Sequence, residues 1–422
     1  MTGCTKPCAL FEGKLEYCTP TPERADTSLD KGLPESFVLH VAPPACGRRL
    51  AISASMRHLR GRRAHLYISE EDIVSACYED MIPEAVQRIL GEVGPTPKAI
   101  IIEVTCVDDL LGTDHEALLA LLKERFAGTH FCVRRIDPIR RTSALPPPVS
   151  RLCSLFSMLD RSDETEDSVN LLTGMTPVAE QSEIFRILAQ MGFRVRQMDT
   201  CETFQDFLDM AKSRFNIVTA PMALMAAQDM EKKLGIPYLY LPATVEIEKI
   251  DMAYEQIAEK SERALPDLSR ERKAAMEELE RALREIGDTP VAIDPTGDQL
   301  PLTLARYLIG RGVRVKLVLE NMLFDGDKSD YHWLREQHPE VSILQSGGVE
   351  LLNRAEEFQD CLCLGFTCGY LLRAKHVVCE EGGKSAYGYQ MTATFARNVQ
   401  TALQTEFDFE KVKRQSEGGG KG

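Results

Sequence analysis

The chain has 422 residues, of which 44% are hydrophobic, so two or three globular domains with buried cores are expected. Its 64 acidic residues outnumber 50 basic residues and give a net charge of −14, which disfavours a nucleic acid as partner because phosphate groups would be repelled. A signal peptide and an apolar run of membrane-spanning length are both missing from the sequence, which predicts a cytoplasmic protein with no membrane partner. The 13 cysteines, an odd number, predict reduced thiols rather than a disulfide framework.

Residues 1–160 are predicted to form a first α/β unit. A helix is expected to begin near Asp108 and to continue through the run from Ala117 to Lys123. The acidic stretch 161–168 that follows has two interpretations, a linker between units or a solvated loop. Apolar runs predict the strands of this unit near residues 37–41, 65–68, 99–105 and 130–135.

From residue 169 onward, short apolar strands alternate with amphipathic helices, which is typical of βαβ units with a parallel sheet covered by helices on both faces. Two further α/β units are therefore predicted over 169–287 and 288–415, and a flexible tail over 416–422. Helices are expected near 179–191, 202–213, 222–234, 267–286 and 299–311. The helix 267–286 is predicted to end at Gly287 and to bury one stripe formed by Ala275, Leu279, Ala282 and Ile286.

Three cysteines, Cys18, Cys46 and Cys106, lie where one predicted element gives way to the next. Cys46 follows the apolar run 37–41, and Cys106 ends the predicted strand 99–105. Thiolates at the ends of several elements can converge on one point, and thiolates are the ligands of iron–sulfur clusters. The trio thus predicts an iron–sulfur site; ordinary buried thiols are the alternative, because no C-x-x-C pair occurs among the three.

Other motifs exclude several kinds of site. The chain has no G-x-G-x-x-G, and Val378 stands where a phosphate-binding loop ending in Gly382-Gly-Lys-Ser needs its first glycine. Dinucleotide binding and ATP hydrolysis by this chain are therefore disfavoured, and the scattered histidines do not indicate a hydrolytic zinc site. Four later cysteines are numerous enough for a metal site, but the alternation around the first two favours packing, and their role is left open: Cys361, Cys363, Cys368 and Cys379.

Several of these segments resemble the component 1 subunits of nitrogenase and its relatives. The most specific stretch is Ile68 to Val74 (Ile-Ser-Glu-Glu-Asp-Ile-Val), followed by Thr105 to Asp114, which contains Cys106. The segment from His40 to Cys46 is similar to the family's His-Gly-Pro-x-Gly-Cys segment. Shorter matches to the middle and last domains of the family occur at 215–218, 233–238, 387–389 and 395–397.

This resemblance implies an α/β protein of three Rossmann-like domains, with parallel sheets flanked by helices. It implies an iron–sulfur cluster, [4Fe-4S] or P-cluster-like [8Fe-7S], shared at an interface with a homologous component 1 subunit in a hetero- or homo-oligomer. Cys18, Cys46 and Cys106 would be the ligands from this chain. It further implies that a separate, ATP-dependent iron-protein reductase supplies the electrons.

The sequence also departs from the family pattern. The position that corresponds to the family's cysteine ligand of the large iron–sulfur cofactor is Ala220, and the position of its histidine ligand is Tyr387. The resemblance therefore implies that this chain does not anchor such a cofactor by itself. Cys77 stands near a position where the family usually has glycines, and no role is assigned to it.

Three functions are compatible with these observations. The first is the iron–sulfur subunit of a nitrogenase-like oxidoreductase, for example of the methylthio-alkane or the tetrapyrrole-reducing type; its catalytic residues and its substrate are not identified by the sequence. The second is a scaffold that assembles or carries a metallocofactor without turnover. The third is a cluster-free α/β protein that binds a ligand in the cleft between its two later domains.

Overall fold

The computed structural model describes residues 7–11, 33–46, 61–75, 77–136, 145–174, 176–379 and 385–409. The short strand β1 (Cys8–Ala9) pairs antiparallel with a strand of the third unit, at Met322 and Leu323. No helix within the described ranges is long and apolar enough to cross a membrane.

The first unit contains a parallel four-stranded sheet with the strand order β3-β2-β4-β5. Its strands are β2 (Ser36–Ala42), β3 (Arg63–Tyr67), β4 (Ala99–Thr105) and β5 (His130–Ile136), within two residues of their predicted positions. Its helices are α1 (Glu70–Val74), α2 (Tyr78–Glu92), α3 (Cys106–Leu111), α4 (His115–Arg125) and α5 (Pro147–Phe156).

The prediction of a single helix from Asp108 through Lys123 is wrong, because the structure has two helices there. Gly112 ends α3 in the left-handed conformation, with φ +71°. The Asp114 carboxylate then caps α4 by accepting hydrogen bonds from the backbone N–H groups of Glu116 and Ala117 at 3.1 and 3.0 Å. A glycine stop followed at once by an N-cap residue divides the segment.

The middle unit contains a second parallel sheet with the order β7-β6-β8-β9. Its strands are β6 (Glu166–Leu172), β7 (Arg194–Gln197), β8 (Ser213–Val218) and β9 (Tyr238–Tyr240). Its helices are α6 (Glu183–Gln190), α7 (Phe204–Leu208), α8 (Leu224–Leu234), α9 (Ile247–Ser261) and α10 (Ser269–Ile286). The α10 stripe of Ala275, Leu279, Ala282 and Ile286 is buried, as predicted.

The acidic stretch 161–168 is only partly a loop, because β6 begins at Glu166. Glu166 and Asp167, the first two residues of β6, pair with arginines on neighbouring strands. Glu166 pairs with Arg196, and Asp167 pairs with Arg214 at 3.2 Å. Ser168 is already fully buried. Charged residues at the start of this strand therefore lie at the rim of the sheet and do not interrupt it.

The third unit contains a five-stranded parallel sheet with the order β13-β11-β10-β14-β15. Its strands, with β12 outside the sheet, are β10 (Val291–Ile293), β11 (Val315–Leu319), β12 (Met322–Leu323), β13 (Ser342–Leu344), β14 (Leu362–Leu364) and β15 (His376–Val378). Its helices are α11 (Pro301–Gly310), α12 (Lys328–Gln337), α13 (Val349–Arg354), α14 (Phe366–Leu372) and α15 (Tyr389–Gln404).

The three units share apolar cores. Ala99 and Ile101 of the first sheet pack into one core with Phe204 and Phe207 of the middle unit. Helix α15 of the third unit packs against α10 of the middle unit. The protein is thus an α/β structure with three parallel sheets flanked by helices, which confirms the predicted fold class; the domain boundaries stay predictions.

Candidate functional site

Cys46 and Cys106 lie at the same edge of the first sheet. Strands β2 and β4 are parallel neighbours, with Val41 paired to Val104. Cys106 directly follows the last residue of β4, and Cys46 comes four residues after the end of β2. Since parallel strands end at one edge, the fold brings two of the three predicted cysteines to adjacent strand ends.

The backbone around each of these two cysteines is held differently. Cys46 is exposed in a helical turn, and its N–H donates to the carbonyl of Pro43 at 3.0 Å. Cys106 is half-buried and opens α3. That helix is tied to α4 because the buried carboxylate of Asp108 lies 2.5 Å from the His115 imidazole. The position of Cys106 is therefore fixed by contacts on both sides of Gly112.

The third predicted ligand, Cys18, lies outside the described residues. None of the described cysteines forms a disulfide. Within the ranges that the structure covers, no group of three or more His, Cys, Asp or Glu side chains is arranged to hold a metal ion. Two thiols at one edge suit an iron–sulfur cluster only as part of a larger set, which would include Cys18 and ligands from a second subunit.

A row of buried charged residues runs across the first sheet beneath this edge. His40, Glu103 and Arg134 face one another on β2, β4 and β5. The Glu103 carboxylate contacts Arg134, lies 3.4 Å from the Arg63 guanidinium, and lies 3.5 Å from the His40 ring. Burial, then Arg63 and Arg134, lower the pKa of His40 to about 4, so His40 is neutral at pH 7.

The row places two arginines against one carboxylate. With His40 neutral, the guanidinium groups of Arg63 and Arg134 both approach the buried Glu103 carboxylate within the sheet. Sequence reasoning missed this row; the available signal was Glu103, a charged residue inside the otherwise apolar run 99–104.

The later cysteines form part of an apolar core. Cys361, Cys363 and Cys368 are all buried and pack with residues of the third sheet. Burial raises the pKa of Cys361 to about 12, so its thiol stays protonated. The Cys368 N–H donates to the Asp294 carboxylate at 2.6 Å. These contacts favour the packing interpretation of the cluster.

A second feature lies between the middle and third units. A cavity of about 430 Å³, partly open to solvent, is lined by residues within 240–256 of the middle unit and within 298–304 and 326–330 of the third. It lies beyond the carboxyl end of β9, where parallel sheets commonly bind ligands. A cluster-free protein that binds a ligand between its two later domains would need a cleft of this kind.

A family model described as nitrogenase component 1 type oxidoreductase matches residues 32–404. The chain belongs to this family. It is 25% identical over 305 residues to the nitrogenase iron-iron protein beta chain of Rhodobacter capsulatus, with 64% of this chain and 63% of that protein covered. It is 24% identical over 180 residues to the nitrogenase iron-molybdenum cofactor biosynthesis protein NifE of Clostridium pasteurianum, with coverages of 41% and 38%.

The matched part is less than two thirds of the length of either relative. Two solved structures of nitrogenase Cp1 have a similar fold, each at 14% sequence identity. The structure at pH 6.5 has a TM-score of 0.73 with 96% of both chains covered. The structure at pH 5 has a TM-score of 0.56 with coverages of 92% and 90%. The fold of the nitrogenase component 1 family therefore extends over nearly the whole chain.

The two departures from the nitrogenase pattern are buried residues with structural contacts. Ala220 is 1% exposed and follows β8, where its methyl group faces Gly174. The Tyr387 hydroxyl donates to the carbonyl of Leu241 at 3.0 Å, and its backbone N–H donates to Ser182. Burial also raises the pKa of Tyr387. Neither side chain offers the thiolate or imidazole that a metallocofactor would need at these positions.

Proposed function

We propose that this chain is the iron–sulfur subunit of a nitrogenase-like oxidoreductase. It would accept low-potential electrons from an ATP-dependent iron-protein reductase and pass them to a substrate or cofactor site, on this chain or on a partner subunit. The observation that carries the proposal is the position of Cys46 and Cys106 at the ends of adjacent parallel strands, at one edge of the first sheet.

In this proposal Cys18, Cys46 and Cys106 would hold the cluster together with ligands of a homologous subunit. The cluster, when bound, supplies reversible one-electron storage. The residues of this chain would set its surroundings: the row of His40, Glu103, Arg63 and Arg134 lies beneath this edge of the sheet. Cys106 begins α3, which the contact between Asp108 and His115 ties to α4.

The surface around the cysteines supports a shared site. Large apolar side chains are exposed on segments that follow the same sheet edge, with Val74 on α1 at 87% and Leu110 on α3 at 80%. Tyr67 at the end of β3 and Leu111 on α3 are also exposed. Apolar residues clustered at one edge suit a subunit interface, which would also exclude water from the cluster.

Iron content of single variants tests the site. Cys46→Ala or Cys106→Ala in anaerobically purified protein is expected to lose most of the bound iron, and Cys363→Ala, a buried cysteine of the third sheet, is the matched control that keeps it. Circular dichroism would verify that each variant is folded. Equal iron in all three variants would contradict the assignment.

The second candidate is a scaffold that carries a metallocofactor without turnover. It is favoured by the similarity to a cofactor biosynthesis protein. The two functions separate in an anaerobic assay with the partner reductase, ATP and a low-potential donor. ATP-dependent reduction of a substrate supports the oxidoreductase, whereas release of the bound cluster to a recipient protein, without reduction, supports the scaffold.

A further inference from the structure

The lining of the cavity between the middle and third units combines apolar and acidic side chains. Leu241, Leu300 and Leu304 are among its apolar lining residues. Asp298 and Tyr240 are among its polar lining residues. At about 430 Å³ the cavity has the size of a site for a small organic molecule.

The positive charges at the cavity are already paired. The Lys249 ammonium lies 2.6 Å from the Glu246 carboxylate, and the Arg306 guanidinium lies 2.7 Å from that of Asp330. Lys249 and Arg306 are also partly exposed, with side chains 44% and 47% accessible. Each of these two carboxylates therefore has a cationic partner at the mouth of the cavity.

Two further acidic groups, Asp298 and Asp327, form no ion pair within 4 Å among the described residues, although the Lys249 ammonium, bonded to Glu246, acts on Asp298 at longer range. Asp298 is nine-tenths buried, and the single hydrogen bond to it comes from the Leu300 N–H, at 2.8 Å to Oδ1. Asp327 is fully buried, and its Oδ2 has no hydrogen-bond partner; the Tyr240 hydroxyl has none either. Asp327 accepts a hydrogen bond from the Thr303 hydroxyl at 2.7 Å, and Thr303 lines the cavity together with Asp298 and Tyr240. Repulsion from Asp327 also contributes to the raised pKa of both Asp298 and Tyr240.

Buried polar atoms without partners cost free energy, and a ligand that supplies N–H donors would remove this cost. Burial raises the pKa of Asp298 to about 7, and a cation bound beside it would favour the ionised carboxylate. The Tyr240 hydroxyl can accept a hydrogen bond, and the leucines offer a hydrocarbon surface. The described residues offer no group of His, Cys, Asp and Glu arranged for a metal ion, and a half-apolar lining does not suit one.

We propose that this cavity binds a small organic cation, a primary amine with a compact apolar body. Its ammonium group would lie between the Asp298 carboxylate and the Tyr240 hydroxyl, and its apolar body would contact Leu241, Leu300 and Leu304. This site goes beyond the proposed electron-transfer function and does not depend on the cluster, which would lie at the edge of a different sheet.

Calorimetric titration of the full-length protein with benzylamine at pH 8, where the Asp298 carboxyl group is mostly ionised, tests the proposal. Benzylamine is expected to bind, and Asp298→Asn to weaken its binding by roughly tenfold or more, because the amide replaces an acceptor-only carboxylate with a neutral group. Benzyl alcohol, the neutral compound of the same shape, is expected to bind more weakly by a similar factor. Asp163→Asn, an exposed aspartate far along the chain, is the control and should bind like the unmodified protein.

A second variant tests the location. Ala243→Trp, at the cavity wall, would fill the cavity without changing its charge and should abolish benzylamine binding. Equal binding by the Asp298 variant, equal affinity for benzyl alcohol, or no binding of benzylamine at all would overturn the proposal. Cys46→Ala should bind benzylamine normally, so that failure of the cluster assignment and failure of this site give different results.

Discussion

The buried carboxylate of Glu183 accepts a hydrogen bond from the Tyr254 hydroxyl at 2.8 Å. The same carboxylate accepts bonds from the backbone N–H groups of Tyr389 and Gln390, at the start of α15. A side chain of α6 in the middle unit therefore accepts hydrogen bonds from the first backbone N–H groups of α15, a helix of the third unit. Because burial raises the pKa of Glu183, these bonds compensate the cost of keeping the group ionised in the interior.

Glu183→Ala is expected to lower the free energy of unfolding by about 1–3 kcal/mol, because it removes every bond that this carboxylate makes. Glu183→Gln should cost less, since the amide keeps one acceptor oxygen. Urea unfolding followed by circular dichroism measures both. Glu84→Ala, at an exposed position on α2, is the control and should change little. An alanine variant as stable as the unmodified protein would show that the contact does not support the helix.

Gly388→Ala is expected to destabilise the protein by about 2 kcal/mol or more. Gly388 has φ +70°, a conformation that disfavours side chains, and a Cβ there would overlap the Tyr254 hydroxyl and the Glu183 carboxylate. The control is Gly91→Ala in α2, where a Cβ meets nothing within 4 Å and helix propensity predicts a neutral or stabilising change. The midpoint temperature of thermal unfolding should fall for Gly388→Ala and should stay the same or rise for Gly91→Ala.

Three buried acids should each make the protein less stable as pH rises from about 4.5 to about 8. Burial raises the pKa of Asp327 to about 6, of Asp298 to about 7 and of Glu320 to about 8. At these groups the folded protein keeps protons that the unfolded chain has already released, so their contribution to the free energy of unfolding decreases with pH. Deprotonation of these groups in the folded state is the unfavourable step. His40, whose pKa is lowered to about 4, contributes in the opposite direction in the lower part of this range.

The substitution Glu320→Gln tests how much Glu320 contributes to the pH dependence of stability. The glutamine oxygen can still accept the N–H bonds of Asn321 and Met322, which Glu320 Oε1 receives at 2.7 and 2.9 Å. The difference in free energy of unfolding between the variant and the unmodified protein should be more favourable to the variant at pH 9 than at pH 5, by on the order of 1–4 kcal/mol. Chemical unfolding at the two pH values measures this difference. An unchanged pH dependence would mean that Glu320 is not the buried acid that the geometry indicates.

Alkylation can report on the proposed cluster at Cys46. After iron is removed by a chelator, Cys46 should react readily with iodoacetamide because it is exposed, whereas Cys363 should stay unmodified until the protein unfolds. In protein that retains iron, Cys46 should be protected while Cys77, which is equally exposed and has no assigned role, continues to react. Peptide mass spectrometry measures each site. Equal labelling of Cys46 with and without iron would speak against ligation.

The strands of the first sheet were predictable because their apolar runs are bounded by polar segments, and the buried stripe of α10 follows directly from helical periodicity. The break between α3 and α4 could have been predicted, because Gly112 is followed closely by Asp114. The apolar residues on both sides of the break instead favour one continuous helix. The pairing of His40 with Glu103 could not be predicted, because it depends on the register between two strands far apart in the chain. The cavity at Asp298 depends on how two units pack, which no local pattern encodes.

The charged row of the first sheet also favours one register between β2 and β4. Phe37, Leu39 and Val41 pack in one core, while His40 lies with Val38 on the opposite face. Sliding β2 by one residue against β4 would turn the buried His40 ring into the apolar core and place a hydrocarbon side chain opposite the Glu103 carboxylate, which would keep its contact with Arg134 on β5. Alternative pairings of these two strands therefore bury a polar ring among apolar side chains in addition to losing apolar packing, and the spacing between the two cysteine-bearing strand ends depends on the same register.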